Sequence, residues 1–347
     1  MNDDIRKVAL LHGAGYAGGE LIGLLLNHPA VSLEVVTSRT LAGEPVWKAH
    51  PHLRGATHLS FSAEDADLSG VVDAVLIAAE HGKGAEAVKG LLESGYEGVV
   101  VDLSADFRFE DPAAYDTWFK FSHPAPELLG TFQYGSPEMY APYPAGTRHI
   151  ANPGCFATGL NLALWPLAKH LSTMQAGVTA LTGASGSGTR PKEATHFPTR
   201  EGNVRAYKVF THQHLPEVEQ HLGPKAKIDF VPVSGPWTRG IWGTAHVITD
   251  SKLDLGTVSL WFEEAYGAAP FVRLWPGELP ELRWSVNTPF CDLGWIVQET
   301  TVVVGFGLDN LLKGAASQAI ENLNLLLGLP QTLGLLPAPT ALAHFGF

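Results

Sequence analysis

Val8-Ala-Leu-Leu-His-Gly13-Ala-Gly15-Tyr16-Ala17-Gly18-Gly19-Glu-Leu-Ile-Gly-Leu-Leu-Leu-Asn27 is the stretch whose reading decides the fold. Its first four residues form an apolar run typical of a buried strand, and Gly19 to Asn27 carries a helical pattern. Between them lie Gly13, Gly15, Gly18 and Gly19. Glycines in such a turn let the backbone approach a pyrophosphate, whose charge then rests on the helix N-terminus. A glycine cluster alone is weak, because glycine turns follow many strands. This one stands between a good strand and a good helix, about seven residues from the start, which is the context a dinucleotide loop requires.

Outward from that stretch the alternation continues. Leu33 to Thr37 is a second strand, Val72 to Ala79 a third, Gly84 to Ser94 a helix, and Gly98 to Ser104 a further strand. Continuous apolar strands between helices indicate a parallel sheet covered on both faces, a Rossmann-type α/β unit. The second strand ends in Thr37-Ser38-Arg39, where an NAD enzyme usually carries Asp or Glu for the ribose hydroxyl. A hydroxyl and a guanidinium suit a 2′-phosphate, so the expected cofactor is NADP(H).

Residues 110 to 150, rich in Pro, Tyr and Gly, read as an irregular connection. Beyond it, Val178 to Gly183, Lys227 to Val233 and Ile241 to Thr249 mix polar and apolar positions, as in a sheet exposed on one face. The expectation is two domains. Residues 1–150 form the dinucleotide-binding unit, completed by the C-terminal helix 309–347, whose amphipathic stretch is Leu308 to Leu327, and 151–308 form an α+β dehydrogenase-type catalytic and oligomerisation unit. The formal net charge of -12 argues against general nucleic-acid or anionic-membrane binding. Two cysteines, no signal-peptide core and no membrane-length apolar stretch lead to the expectation of a cytoplasmic protein.

Asn152-Pro-Gly154-Cys155-Phe-Ala-Thr158 precedes a helical run, Gly159 to His170. Pro and Gly break the chain, so Cys155 is expected at or near a helix N-terminus, where the dipole and free N–H groups favour a thiolate. The same N–H groups can hold the oxyanion of a thioester under attack. Cys291, in Pro289-Phe-Cys-Asp, has no such helix start and reads as a small buried apolar residue. The partner for acid/base work is sought in Thr211-His212-Gln-His214-Leu-Pro-Glu217. No carboxylate or cysteine completes a ligand set around His212 and His214, so no metal is expected. A third reading has Pro216 beginning a helix that His214 caps.

As a set, these pieces resemble N-acetyl-gamma-glutamyl-phosphate reductase, of the semialdehyde dehydrogenase superfamily. The resemblance runs over residues 8 to 335: the glycine loop with Tyr16, Ser104-Ala-Asp-Phe-Arg108, Asn152 to Thr158, His212-Gln-His-Leu-Pro-Glu217, and Leu308-Asp-Asn310-Leu-Leu-Lys313-Gly-Ala-Ala. It implies a Rossmann domain plus a dehydrogenase-type catalytic domain, NADPH, and a small acyl-phosphate substrate of arginine biosynthesis. It also implies a homodimer or homotetramer. Carried over, Cys155 is the nucleophile and the His212/His214 pair the acid/base, with His212 slightly preferred. Arg108, Asn152 and Glu217 become substrate-site residues, and Arg205 and Lys208 hold the leaving phosphate. Gly13, Gly15, Tyr16, Ala17, Gly18, Ser38, Arg39, His81, Ser185, Gly186 and Asn310 become cofactor contacts.

Two departures stand out. Gly15 and Ala17 lack the hydroxyls usual in the family, and the turn Ala79-Glu80-His81-Gly82 replaces the common Leu-Pro-His-Gly, setting a carboxylate near a phosphate-bearing cofactor. The enzymatic rivals are a reductase of an N-succinyl substrate and a lysine-pathway reductase of carrier-linked aminoadipyl phosphate. Ser38 to Val46 and His123 to Gly130 resemble the lysine-pathway subgroup too. Phe156, where the carrier-dependent enzymes tend to have Asn, and the absence of a basic balance favour the arginine-pathway reading. Aspartate-semialdehyde dehydrogenase matches the local motifs less well. A non-catalytic NADP sensor is the rival of another class.

Overall fold

The computed structural model describes residues 5–66, 68 and 70–336. The first sheet is built from β1 (Arg6–Leu11), β2 (Val31–Thr37), β3 (Phe61–Ser62), β4 (Ala74–Ile77), β5 (Val99–Asp102), β6 (Gln133–Tyr134) and β7 (His149–Ala151). Their order is β3-β2-β1-β4-β5-β7-β6, and every pairing is parallel. Helices α1 (Tyr16–Leu26) and α2 (Lys83–Glu93) are the early crossovers. The chain runs outward from β1 through β2 to β3, then returns to lay β4 on the other side of β1. The carboxyl ends of β1 and β4 therefore form the topological switch point, where such sheets bind ligands.

The region read as an irregular connection contributes β6 and β7, two and three residues long, which extend the first sheet. Strands that short carry no readable periodicity, and β3 escaped for the same reason.

The second sheet follows α3 (Cys155–His170): β8 (Met174–Thr182), β9 (Arg205–Ala206), α4 (Leu215–Leu222), β10 (Ala226–Ser234), β11 (Ile241–Ile248), α5 (Leu255–Tyr266), β12 (Val272–Pro276), β13 (Cys291–Gln298) and β14 (Thr301–Leu308). Its order is β12-β13-β14-β11-β8-β10-β9, mixed, with β8/β10 and β12/β13 parallel. Burial along β8 alternates strictly: one face packs into the core, the other is open. Helix α3 is buried nearly all round, because it lies against β11 and β14 on one side and α4 and α5 on others.

The last helix, α6 (Ser317–Leu326), packs Ala319, Ile320 and Leu323 into the apolar core of the first sheet. Leu308, read as the start of this helix, is the end of β14, and a π-helical turn, Leu312–Ala316, comes between. The helix stops at Leu326, one residue from the expected Leu327, and residues 337–347 lie outside the described residues. Lys313 in the π turn is fully buried against Glu138 and Glu321, an ion-pair cluster that fastens the return to the first sheet. Among the described residues no helix is long and apolar enough to cross a membrane.

Candidate active site

At the switch point Gly15 is the N-cap of α1, in extended conformation and with no side chain bonded to the helix start. The first turn holds no acidic residue, so its N–H groups and dipole are open to an anion. A Cβ on Gly15 would meet nothing within 4 Å. The other glycines serve packing. A Cβ on Gly18 would sit 2.2 Å from the Gly13 carbonyl oxygen, and one on Gly13 2.5 Å from Val36 Cγ1. His50, which motif reading passed over, donates from Nε2 to that Gly13 oxygen at 2.8 Å. Gly19 makes room for it, since a Cβ there would lie 2.6 Å from His50 Nδ1.

Above this loop a cleft of about 760 Å³ runs between the two sheets. Gly15, Tyr16, Ala17, Gly18, His81, Ser185, Gly186 and Asn310 all line it. Asn310 accepts the Gly240 N–H at 2.7 Å and donates to Ser185 Oγ at 3.0 Å, so two predicted contacts brace each other. Gly13, Ser38 and Arg39 lie off the lining. Ser38 is buried with its N–H on Ser62, and Arg39 is exposed just past the end of β2. Glu80 does line the cleft, but it is exposed and paired with Arg190 at 3.2 Å, so its charge is answered.

Cys155 is the first residue of α3 and opens onto the same cleft, with Gly154 as N-cap. The Gly154 N–H donates to Glu217 Oε1 at 2.8 Å. Tyr134 Oη donates to the same oxygen at 2.7 Å, and Arg108 Nη1 to Oε2 at 3.2 Å. Arg108 also donates from Nε to the Asn152 carbonyl and from Nη2 to that of Leu103. Glu217 is thus buried one layer behind the cleft wall, positioning the turn that carries Cys155. Asn152 reaches the lining, yet its amide is committed to Ala315 and Asn322. A Cβ on Gly154 would fall 2.5 Å from His214 Nε2 and 2.7 Å from Arg108 Nη1, so only glycine lets both crowd this helix start.

Burial pushes the Cys155 thiol up to about 11, and Glu217 adds to the rise. The Arg108 cation and the N–H groups of Phe156 and Cys155 pull the other way, as expected of a helix start. Desolvation wins, so the resting group is a neutral thiol, where helix-start reasoning had favoured a thiolate. Cys291 is fully buried and unpaired, with its thiol raised further by burial.

His212 and His214 stand with ring centroids 4.8 Å apart, both against Phe156. His212 Nδ1 accepts the His214 N–H at 3.2 Å, which leaves its proton on Nε2. Burial, then the Lys208 cation, lowers His212 to about 3. Burial, then His212 and Arg108, holds His214 well below the usual imidazole range. His214 does occupy the N-cap position of α4, with Pro216 in the first turn, but its side chain caps nothing and Nδ1 has no partner. Among the described residues no group of three His, Cys, Asp or Glu is arranged to hold a metal.

Sequence reading also missed Tyr134, Tyr207 and all of a cationic rim except Arg205 and Lys208. Arg190, Lys192, Arg200, Arg205 and Lys208 line one side of the cleft, whose lining includes a single carboxylate, Glu80. A net-acidic balance gave no hint of this clustering.

The profile of the semialdehyde dehydrogenase NAD-binding domain matches residues 7–143, and that of the semialdehyde dehydrogenase dimerisation domain residues 155–310. The chain is 39% identical over 339 residues to the N-acetyl-gamma-glutamyl-phosphate reductase of Methanocaldococcus jannaschii, covering 95% of this chain and 98% of that one. It is 40% identical over 347 residues to a putative [LysW]-L-2-aminoadipate 6-phosphate reductase of Thermomicrobium roseum, covering 95% and 97%. Aspartate semialdehyde dehydrogenase II of Vibrio cholerae, solved with ASA, shares the fold at a TM-score of 0.70 and 17% identity, over 94% of this chain and 99% of that one.

Proposed function

The chain belongs to the semialdehyde dehydrogenase family, and from its likeness to the N-acetyl-gamma-glutamyl-phosphate reductases of that family we propose that it reduces N-acetyl-gamma-glutamyl phosphate to N-acetylglutamate 5-semialdehyde with NADPH, through a thioester on Cys155. It is an oxidoreductase with an NAD(P)-binding domain. The observation that carries the finer reading is Cys155 at a helix start, inside the cleft that the open N-terminus of α1 also faces. The unfilled space at Gly15 and the uncapped α1 N–H groups fit the pyrophosphate, and exposed Arg39 is available to a 2′-phosphate.

The Cys155 thiol attacks the acyl carbonyl and phosphate leaves. Its proton passes to a neutral imidazole, and His214 is the member of the pair with an unpartnered nitrogen to receive it. His212, with its proton held on Nε2, faces the task of donor to the developing oxyanion, alongside the N–H groups of Cys155 and Phe156. A dinucleotide held at the open N-terminus of α1 would supply the hydride chemistry for the thioester carbonyl. Collapse of the thiohemiacetal then frees the aldehyde, and sulfur recovers the proton from His214. Lys208 and Arg205 on the exposed rim suit the departing phosphate. The preference for His212 as sole acid/base thus becomes a division of labour, because its Nδ1 is already occupied.

The reaction run backwards tests this reading. N-acetylglutamate semialdehyde, phosphate and NADP should yield NADPH, and Cys155→Ser should lower the rate at least ~1000-fold while NADPH binding persists. Wild-type turnover in that variant would sink the thioester route. A second reading, a carrier-linked aminoadipyl phosphate, draws support from the cationic rim and the lysine-pathway relatives. The open face of the second sheet, with Ile248 and Ile296 exposed, together with the dimerisation-domain match, supports a homodimer. Two unpaired cysteines suit a cytoplasmic setting.

A further inference from the structure

The glycine loop opens on a residue that has no task in the steps above. His12 follows β1 directly and stands at φ 58°, in the left-handed region that a side chain enters only at some cost. Strain of this kind gathers at ligand sites, where the surrounding structure enforces it. Here the enforcement comes from Thr37, the last residue of β2. Its Oγ1 accepts the His12 N–H at 3.1 Å, and its carbonyl accepts the Gly13 N–H at 2.9 Å. Held this way, the imidazole meets Glu64: Nδ1 lies 2.9 Å from Oε1, and both side chains are partly exposed.

His12, Arg39 and Glu64 come just past the carboxyl ends of β1, β2 and β3, three neighbouring parallel strands. Burial, the largest influence, holds the His12 imidazole below its ordinary range; Glu64 pulls it up and Arg39 pushes it down. At neutral pH the ring is therefore uncharged, and it gives Glu64 a hydrogen bond from Nδ1 without cancelling its charge. The other carboxylates that act on the ring are answered by cations, Glu80 by Arg190 at 3.2 Å and Glu86 by Lys83 at 2.7 Å. Among the described residues Glu64 is paired with His12 alone, and Arg39 with no carboxylate. In this fold the adenosine ribose lies at the end of the second strand, where a carboxylate accepts its hydroxyl and an arginine takes a 2′-phosphate. This corner holds both groups, the cation from β2 and the carboxylate from β3. A carboxylate that keeps its charge accepts a hydroxyl and repels a phosphate.

We propose that Glu64, positioned by His12, accepts the ribose 2′-hydroxyl of NAD and opposes the 2′-phosphate of NADP, so that the chain takes both dinucleotides where Arg39 by itself would select NADP. The assignment rests on the dinucleotide reading of the α1 N-terminus, whose failure is separable from its own.

Calorimetric titration of the full chain decides the matter, because it reads binding without turnover. Wild type should bind NADP and NAD with Kd values within about 10-fold of each other. Glu64→Gln should weaken NAD about 10-fold, the scale of a lost charged hydrogen bond, and tighten NADP about 3-fold, the scale of an exposed charge pair. A merely structural role would move both values the same way. His12→Gly, which relieves the strained φ, should shift the NAD/NADP ratio in the same direction by a smaller factor, and should add little to Glu64→Gln in the double variant. The adenosine halves, 5′-AMP and adenosine 2′,5′-bisphosphate, should repeat the opposite movements. Equal changes for the two dinucleotides in Glu64→Gln overturn the assignment. So does a switch seen with whole dinucleotides and lost with their adenosine halves, or a wild type that binds NADP and leaves NAD unbound. Full additivity in the double variant removes His12 from its positioning role. A wild type that binds neither dinucleotide overturns the cofactor reading, and this assignment with it.

Discussion

Two helices begin in the cleft on a glycine N-cap without a side-chain cap, and their surroundings make them opposites. At Gly15 a Cβ would meet nothing, Tyr16 beside it is exposed, and the α1 N–H groups are left for an anion. At Gly154 the space is filled by His214 and Arg108, the N–H is already taken by the Glu217 carboxylate, and the following thiol is desolvated. The same local motif thus gives an open anion seat in one place and a crowded, neutral thiol in the other. A helix N-terminus offers a field of limited size; burial decides whether an ionised group can exploit it.

The largest effect that sharpens this contrast is in thiol reactivity. With Cys155 raised to about 11, the thiolate fraction of the free enzyme grows about tenfold per pH unit below that value, so iodoacetamide labelling should climb about 1000-fold from pH 7 to 10. Mass spectrometry of the labelled peptide follows it, with buried Cys291 as the silent internal control. A plateau already at neutral pH would mean that the helix start outweighs burial after all.

Next comes the steric side. Gly154→Ala should displace His214 or Arg108, lowering kcat about 100-fold and stability by about 1–3 kcal/mol. Gly15→Ala should melt like the wild type and raise only KM for NADPH. If the two alanine variants behave alike, the contrast between the helix starts is broken. The smallest effect concerns the support beneath the open seat. His50→Leu removes the donor to the Gly13 carbonyl, so KM for NADPH should rise about 10-fold with kcat unchanged, the scale of one hydrogen bond. His50→Gln, which keeps a donor, should recover most of it; equal losses in both variants would reduce His50 to packing.

Much was legible in the chain itself. Val8 to Asn27 announced the strand, the glycine turn and the helix, because a buried parallel strand is an apolar run and a dinucleotide loop needs small residues at set places. Asn152 to Thr158 announced a cysteine at a helix start for an equally local reason, since proline and glycine end one element and free N–H groups open the next. The exposed face of the second sheet was readable from period-two alternation.

Other features had no local signature. Strands β3, β6 and β7 are two or three residues long and exist only because neighbours supply their hydrogen bonds. The roles of His50 and Tyr134 depend on contacts with residues 37 and 83 positions away. Beyond Arg205 and Lys208 the cationic rim vanished into the acidic total, because charge sums ignore where side chains converge. Local residue patterns, then, determined the elements, the glycine loop and a cysteine at a helix start. Only the tertiary structure decided the protonation of that cysteine, the tautomer of His212 and the pairing of His12 with Glu64, since desolvation and long-range hydrogen bonds arise when distant segments pack together.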